Sequence, residues 1–283
     1  MKTLIYIFLL VPVSTAFFGC QKVIDLPLTD STPKLVIEAN VTNEPGRQYV
    51  ILSQSTGYFE IVPQQFISGA TVLITDNKGG SYPFTEIPQH AGVYTNLGFI
   101  GTPGTTYYLT VTSSGKTYNA TCIMPAQVKI DSLSFKPRGS FFGGNNADTT
   151  DGYRVFCNFT DPKGTGNYYI LDFDIKHSKP IKKGDEDDEG NPNTNYLLYD
   201  DRISDGNSAN YPLRGDLADK GDTAYVELHM VDKTIYYYFN QLTNLLNPGR
   251  EDASPANPIT NINGGAIGYF SAYSLTKDTL IIK

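Results

Sequence analysis

This 283-residue sequence predicts an all-β fold in two units with one helix. Three observations carry the prediction. Short runs rich in β-branched and aromatic residues recur, separated by Gly and Pro turns. Hairpin punctuation stands between several of them. Apolar residues at helical spacing form a convincing stretch only near residues 233–246.

The first unit spans about residues 34–125 and reads as a small β-sandwich. Leu35-Val36-Ile37-Glu38-Ala39 is its first strand, and Tyr49-Val50-Ile51-Leu52 follows the turn Asn43-Glu44-Pro45-Gly46. Residues 70–75 alternate and end at Asp76-Asn77-Lys78-Gly79-Gly80, a hairpin signal. Residues 106–112 and 116–122 flank Ser113-Ser114-Gly115, a second hairpin. Ser68-Gly69-Ala70-Thr71-Val72, Gly92-Val93-Tyr94 and the Gly101-Thr102-Pro103-Gly104 turn together resemble transthyretin-like (Ig-like) and carboxypeptidase-regulatory-like sandwiches of exported proteins. Met124-Pro125 closes the unit.

The second unit, about residues 128–283, is a further sandwich-like, β-rich unit. Residues 153–159 and 168–175 are its strongest strands, with the turn Asp161-Pro162-Lys163-Gly164-Thr165-Gly166-Asn167 between them. Tyr169, Leu171, Phe173 and Ile175 share one face, which turns Asp172 and Asp174 to the other, wetter side. Residues 223–230 are another strand. Asp232 or Thr234 can cap a helix in which Ile235, Tyr238, Phe239, Leu242, Leu245 and Leu246 recur at helical spacing. Asn247-Pro248-Gly249 stops it. Residues 266–273 and 279–282 return to strand. Gly264-Gly265 and Gly268 precede or enter a strand rather than a helix, so they predict a tight turn and a close backbone approach, not a phosphate cradle.

The N-terminus predicts where the chain is used. Lys2 precedes an apolar run over residues 4–13, too short to span a bilayer. Phe17-Phe18-Gly19-Cys20 then reads as a lipoprotein-type signal end, with residues 1–19 removed and Cys20 lipidated. Phe17 and Phe18 stand where such signals carry Leu and a small residue; the other reading is an ordinary cleaved signal with an incidental cysteine. Residues 20–33, with Pro27 and Pro33, form a tether. The formal charge of −7 argues against nucleic-acid binding, which needs a basic face. Lipidation of Cys20 leaves Cys122 and Cys157, which can form one disulfide or stand as separate buried thiols.

Catalytic signatures are absent from the sequence: no His-Glu-x-x-His, no Gly-x-Ser-x-Gly and no phosphate-binding loop. His90, His177 and His229 lie far apart in sequence and read as surface or satisfied core residues. The acidic run holding Asp185, Asp187, Asp188 and Glu189 has the oxygen donors of a calcium loop without EF-hand spacing. Lys179, Lys182 and Lys183 partly neutralise it, which suits a solvated charged loop. The expectation is no cofactor and no enzyme. Twenty tyrosines and no tryptophan offer stacking surfaces, though core packing explains most of them.

The chain resembles the Bacteroidota lipoprotein family known as domain of unknown function 4249. The residues that carry the resemblance are Cys20-Gln21-Lys22-Val23-Ile24-Asp25-Leu26, Pro33-Lys34-Leu35-Val36-Ile37-Glu38, Ser68-Gly69-Ala70-Thr71-Val72, Ile130-Asp131-Ser132-Leu133 and the stretch at 257–272. The resemblance implies a lipid-anchored outer-membrane protein at the cell surface, often encoded beside a TonB-dependent transporter. It implies no chemistry and transfers no catalytic residue. Secretion in this phylum implies O-glycosylation sites at Ser31, Ser132, Thr149, Thr223 and Thr279. The leading expectation is a non-enzymatic binding or accessory subunit of such a transporter. A structural or adhesive surface lipoprotein and a hydrolase with a carboxylate site at Asp172, Asp174 or the 185–189 run are the alternatives.

Overall fold

The computed structural model describes residues 32–57, 62–138, 152–179, 196–215, 217–246 and 257–283. Among these, the fold is all-β with a single α-helix. Along residues 106–113 and 223–230 buried side chains alternate with more exposed ones, as the two-residue period of a strand requires.

The N-terminal strands are β1 (Leu35–Thr42), β2 (Tyr49–Gln54), β3 (Gln65–Phe66), β4 (Thr71–Asp76), β5 (Ser81–Glu86), β6 (Val93–Thr95), β7 (Thr106–Ser113) and β8 (Lys116–Ile123). They are followed by β9 (Ile130–Pro137), β10 (Tyr153–Thr160), β11 (Tyr168–Lys176), β12 (Tyr196–Asp200), β13 (Ser208–Pro212) and β14 (Thr223–Val231). Helix α1 (Lys233–Leu246), β15 (Ile262–Asn263) and β16 (Ile267–Ile281) complete the chain.

One continuous strand path runs β12-β11-β14-β16-β1-β2-β6-β5-β4-β7-β8-β15, with β3 attached to β2. A separate three-stranded sheet has the order β13-β10-β9. Both expected hairpins form. In the first, Asp76 Oδ1 accepts the backbone N–H groups of Lys78 (2.8 Å) and Gly80 (2.7 Å), which fixes the turn between β4 and β5. In the second, β7 and β8 pair from Thr106↔Ile123 to Ser113↔Lys116. The helix occupies the expected residues, and Asp232 caps it by accepting the Thr234 N–H at 2.8 Å.

The turn at 161–167 does more than join two neighbours. It carries the chain from the three-stranded sheet to the long path, because β10 pairs with β9 and β13 while β11 pairs with β12 and β14. Two carboxylates pin it: Asp161 accepts the Tyr169 hydroxyl and the Gly206 N–H, and Asp201 accepts the N–H groups of Gly166 and Asn167.

The sequence reading expected two short C-terminal strands; the structure has one, β16. Its first half runs parallel to β1, from Val36↔Ile267 to Thr42↔Tyr273. Its second half runs antiparallel to β14, from Met230↔Ser274 to Thr223↔Ile281. Residues 274–278, polar apart from the buried Leu275, therefore stay in strand because pairing with β14 satisfies their backbone. Gly268 permits the first half: its φ is +102°, and a Cβ there would lie 2.1 Å from the Ile37 carbonyl oxygen.

Two apolar clusters form the interior. One joins Ile37 and Ala39 of β1, Val50 and Leu52 of β2, Ile74 of β4, Leu109 of β7 and Phe270 of β16. The other joins Tyr169 and Leu171 of β11, Val226 and Leu228 of β14, and Val155 and Phe159 of β10. The second cluster is a sandwich interior between the long path and the three-stranded sheet. On the opposite face of the long path, α1 lies over Ile170 and Val231, with Ile235 and Tyr236 buried against them.

Cys122 and Cys157 are both free, buried thiols. The disulfide that the cysteine count allows is not formed, because Cys122 belongs to the first cluster and Cys157 to the second. Burial pushes both thiols up to about 12.

Candidate functional site

The face of the long path that carries α1 continues past the helix as a polar and aromatic surface. In β14, Ala224, Val226, Leu228 and Met230 are buried, so Glu227 and His229 turn to this opposite face. Register then places Asp172 of β11 across from Glu227, and Lys277 of β16 on its other side. Tyr273 of β16 lies beside Thr42 of β1, and Tyr49 of β2 lies across from Asn40.

The side chains meet closely. Arg47 Nη1 donates to Glu227 Oε2 at 2.8 Å, and His229 Nε2 stands 3.0 Å from the same oxygen. Lys277 Nζ is 2.8 Å from Glu44 Oε2 and 3.7 Å from Glu227 Oε1. The His229 ring stacks on Tyr273, with centroids 4.7 Å apart and planes 29° from parallel. Two like charges directly opposite on a sheet repel, and Arg47 and His229 offset that cost. The result is a split pair. The His229 and Arg47 contacts hold the Glu227 carboxyl down at about 2. Burial pushes the Asp172 carboxyl up, and the Glu227 charge adds to the rise.

Ligand atoms of Asp172, Glu227 and His229 lie within 4.8 Å of one another, a spacing that a metal ion can bridge. The arrangement is nevertheless poor for one. The Glu227 oxygen nearest His229 already takes the guanidinium of Arg47, whose charge repels a cation at that distance. Asp161, Asp201 and Asp205 form a second close group. Their oxygens hold the loop N–H groups of Gly206, Gly166, Asn167 and Gly164, which accounts for them as a loop fastening.

The residues singled out from sequence fare differently. Asp172 and His229 come together; Asp174 is exposed across from Tyr225, on the same face but outside the close group. His90 is exposed in a loop, and His177 Nδ1 contacts Asp222 Oδ2 at 2.8 Å. Ser132 of β9 and Thr279 of β16 are exposed, and Thr223 of β14 is half-buried. Cys20, Ser31, Thr149, Asp185, Asp187, Asp188 and Glu189 lie outside the described residues. Sequence reasoning missed Glu227, Tyr273, Tyr49 and Arg47. Alternation in residues 223–230 places Glu227 beside His229, a signal that was there to read. Arg47 is 180 positions from Glu227, and no local pattern joins them.

The fold and this surface define a β-sandwich protein with a half-buried polar-aromatic sheet face. The family model described as Domain of unknown function (DUF4249) matches residues 21–279, and the chain belongs to that family. No curated protein matches it. Among the described residues, no helix is long and apolar enough to cross a membrane.

Proposed function

We propose that this protein is a lipid-anchored outer-membrane lipoprotein that serves a TonB-dependent transporter as a non-enzymatic binding or accessory subunit. One observation carries the binding part: the cluster of Arg47, Tyr49, Asp172, Glu227, His229 and Tyr273, half-buried but for the exposed Tyr49. Arg47, Glu227 and His229 are mutually paired and the His229 and Tyr273 rings are stacked, which suits holding a ligand more than turning one over. The anchoring part is supported by the signal-like N-terminus ending at Cys20 and by the short tether after it. A tethered subunit works at high effective concentration, so a weak contact with a neighbouring barrel suffices. Purification of the native protein in mild detergent, from cells starved of iron or carbon, tests the proposal. A large β-barrel transporter is expected to co-purify. A lone lipoprotein under every condition, still able to bind whole cells, overturns the proposal in favour of a structural or adhesive role.

A hydrolase is the second reading, favoured by the opposed titration of Asp172 and Glu227. Adjacent carboxyls pushed apart are how acid and base roles are divided. Turnover of a glycan or peptide that Asp172→Asn abolishes would establish it.

A further inference from the structure

We infer that the surface beside α1 is a carbohydrate site, taking a neutral sugar residue of an oligosaccharide. The inference rests on the reading of the chain as a binding subunit and names what it binds. The first argument is charge. Glu227 is held by Arg47 and His229, and Lys277 is shared between Glu44 and Glu227. An anionic ligand must displace Glu227 or Glu44 from its cation and leave that carboxylate desolvated, and the charges of Arg47 and Lys277 repel a cationic one. A neutral ligand adds hydrogen bonds and breaks none.

The second argument is the mixture of groups. Arg47 donates, the carboxylates of Asp172 and Glu227 accept, and the tyrosine hydroxyls do both. Sugar hydroxyls also do both, and vicinal pairs match planar guanidinium and carboxylate groups. Charged groups already fixed by neighbours lose little freedom on taking such a ligand. The third argument is shape. Tyr49 remains 36% exposed and is the ring open to a ligand, with the half-buried Tyr273–His229 stack on the same face. A pyranose has an apolar C–H face and a hydroxyl rim, which fits rings bordered by polar groups. The site lies on a sheet face, with Tyr49 its exposed ring, so it suits a residue within a chain more than a free monosaccharide. The acidic groups Asp172, Glu227 and Glu44 disfavour a sugar that carries its own carboxylate.

Isothermal titration of the full lipidated protein in mild detergent tests this. The probes are maltohexaose, cellohexaose, mannohexaose and xylohexaose, with trigalacturonate as the acidic comparison. At least one neutral hexaose is expected to bind with a Kd of about 1 mM or tighter. Tyr49→Ala and Asp172→Asn are each expected to weaken it by about tenfold or more. Circular dichroism of both variants should match the parent, which separates a lost contact from a lost fold. Three results would overturn the inference: no binding of any neutral hexaose, binding unchanged in both correctly folded variants, or trigalacturonate binding tightest. Co-purification of a barrel is read separately from the same preparation. A barrel present with no hexaose bound discards the sugar site and leaves the subunit role standing.

Discussion

Replacing Glu227 by Gln removes the charge on which Arg47 and His229 converge. The magnitude follows from the depressed carboxyl. A fall from the ordinary 4.5 to about 2 sets a ceiling of about 3 kcal/mol of stability at neutral pH. The Glu227 side chain is 21% exposed and that of Arg47 39%, so water screens the pair. We therefore expect about 2 kcal/mol lost in the variant at pH 7. Because the folded value lies below the unfolded one, the contribution is present above about pH 4.5 and fades as pH falls toward 2. Between pH 7 and pH 3.5 the parent should forfeit about 1.3 kcal/mol of its advantage over the variant. Other carboxyls titrate in both proteins and cancel in the difference. Urea unfolding followed by circular dichroism at the two pH values reads both numbers, and thermal unfolding at pH 7 should show a fall of about 4–8 °C. A variant as stable as the parent at pH 7, or a gap of equal size at both pH values, would refute the reasoning.

Other outcomes follow from the fold. Gly268→Ala drives a Cβ against the Ile37 carbonyl at a positive φ, so it should cost about 3 kcal/mol or more and loosen the β1–β16 pairing. Hydrogen exchange should show faster opening along both strands, and an unchanged exchange pattern would contradict the close approach. Cys122 and Cys157 should resist a thiol reagent in the folded protein and both react after denaturation without reductant, because each is buried and held near 12. Rapid labelling of the folded chain, or a disulfide found by mass, would contradict this. Tyr169→Phe deletes the hydroxyl that the buried Asp161 accepts, and should cost about 1–3 kcal/mol in urea unfolding. A neutral result would show that Asp201 and the Asp161–Gly206 contact hold the loop at 161–167 without the Tyr169 hydroxyl.

What the sequence made legible were the elements set by local chemistry. Asp76-Asn77-Lys78-Gly79-Gly80 and Ser113-Ser114-Gly115 form the turns their residues favour, and Asp232 caps the helix that its apolar spacing describes. The alternation in residues 168–175 placed Tyr169, Leu171, Phe173 and Ile175 inward and Asp172 outward. Pairings between distant segments were not legible. The parallel partnership of β16 with β1 joins residues more than 200 positions apart, and nothing within either strand encodes it. The short strands β12 and β13 went unread because five residues each give too little pattern to separate strand from loop. The site follows the same division. Asp172 and His229 were each visible as polar residues in strands, but only the order β11-β14-β16-β1-β2 brings them to Arg47, Tyr49 and Tyr273.

In the proposed function, the Cys20 lipid would hold the chain beside a barrel. Expressing the parent and Cys20→Ala at equal levels and purifying each in mild detergent tests it most directly. The account expects the parent in the membrane fraction with a large β-barrel attached, and the variant in the soluble fraction with at least about tenfold less barrel, since the weak contact loses its effective concentration. Membrane association unchanged by Cys20→Ala, or no barrel with either protein, would contradict it.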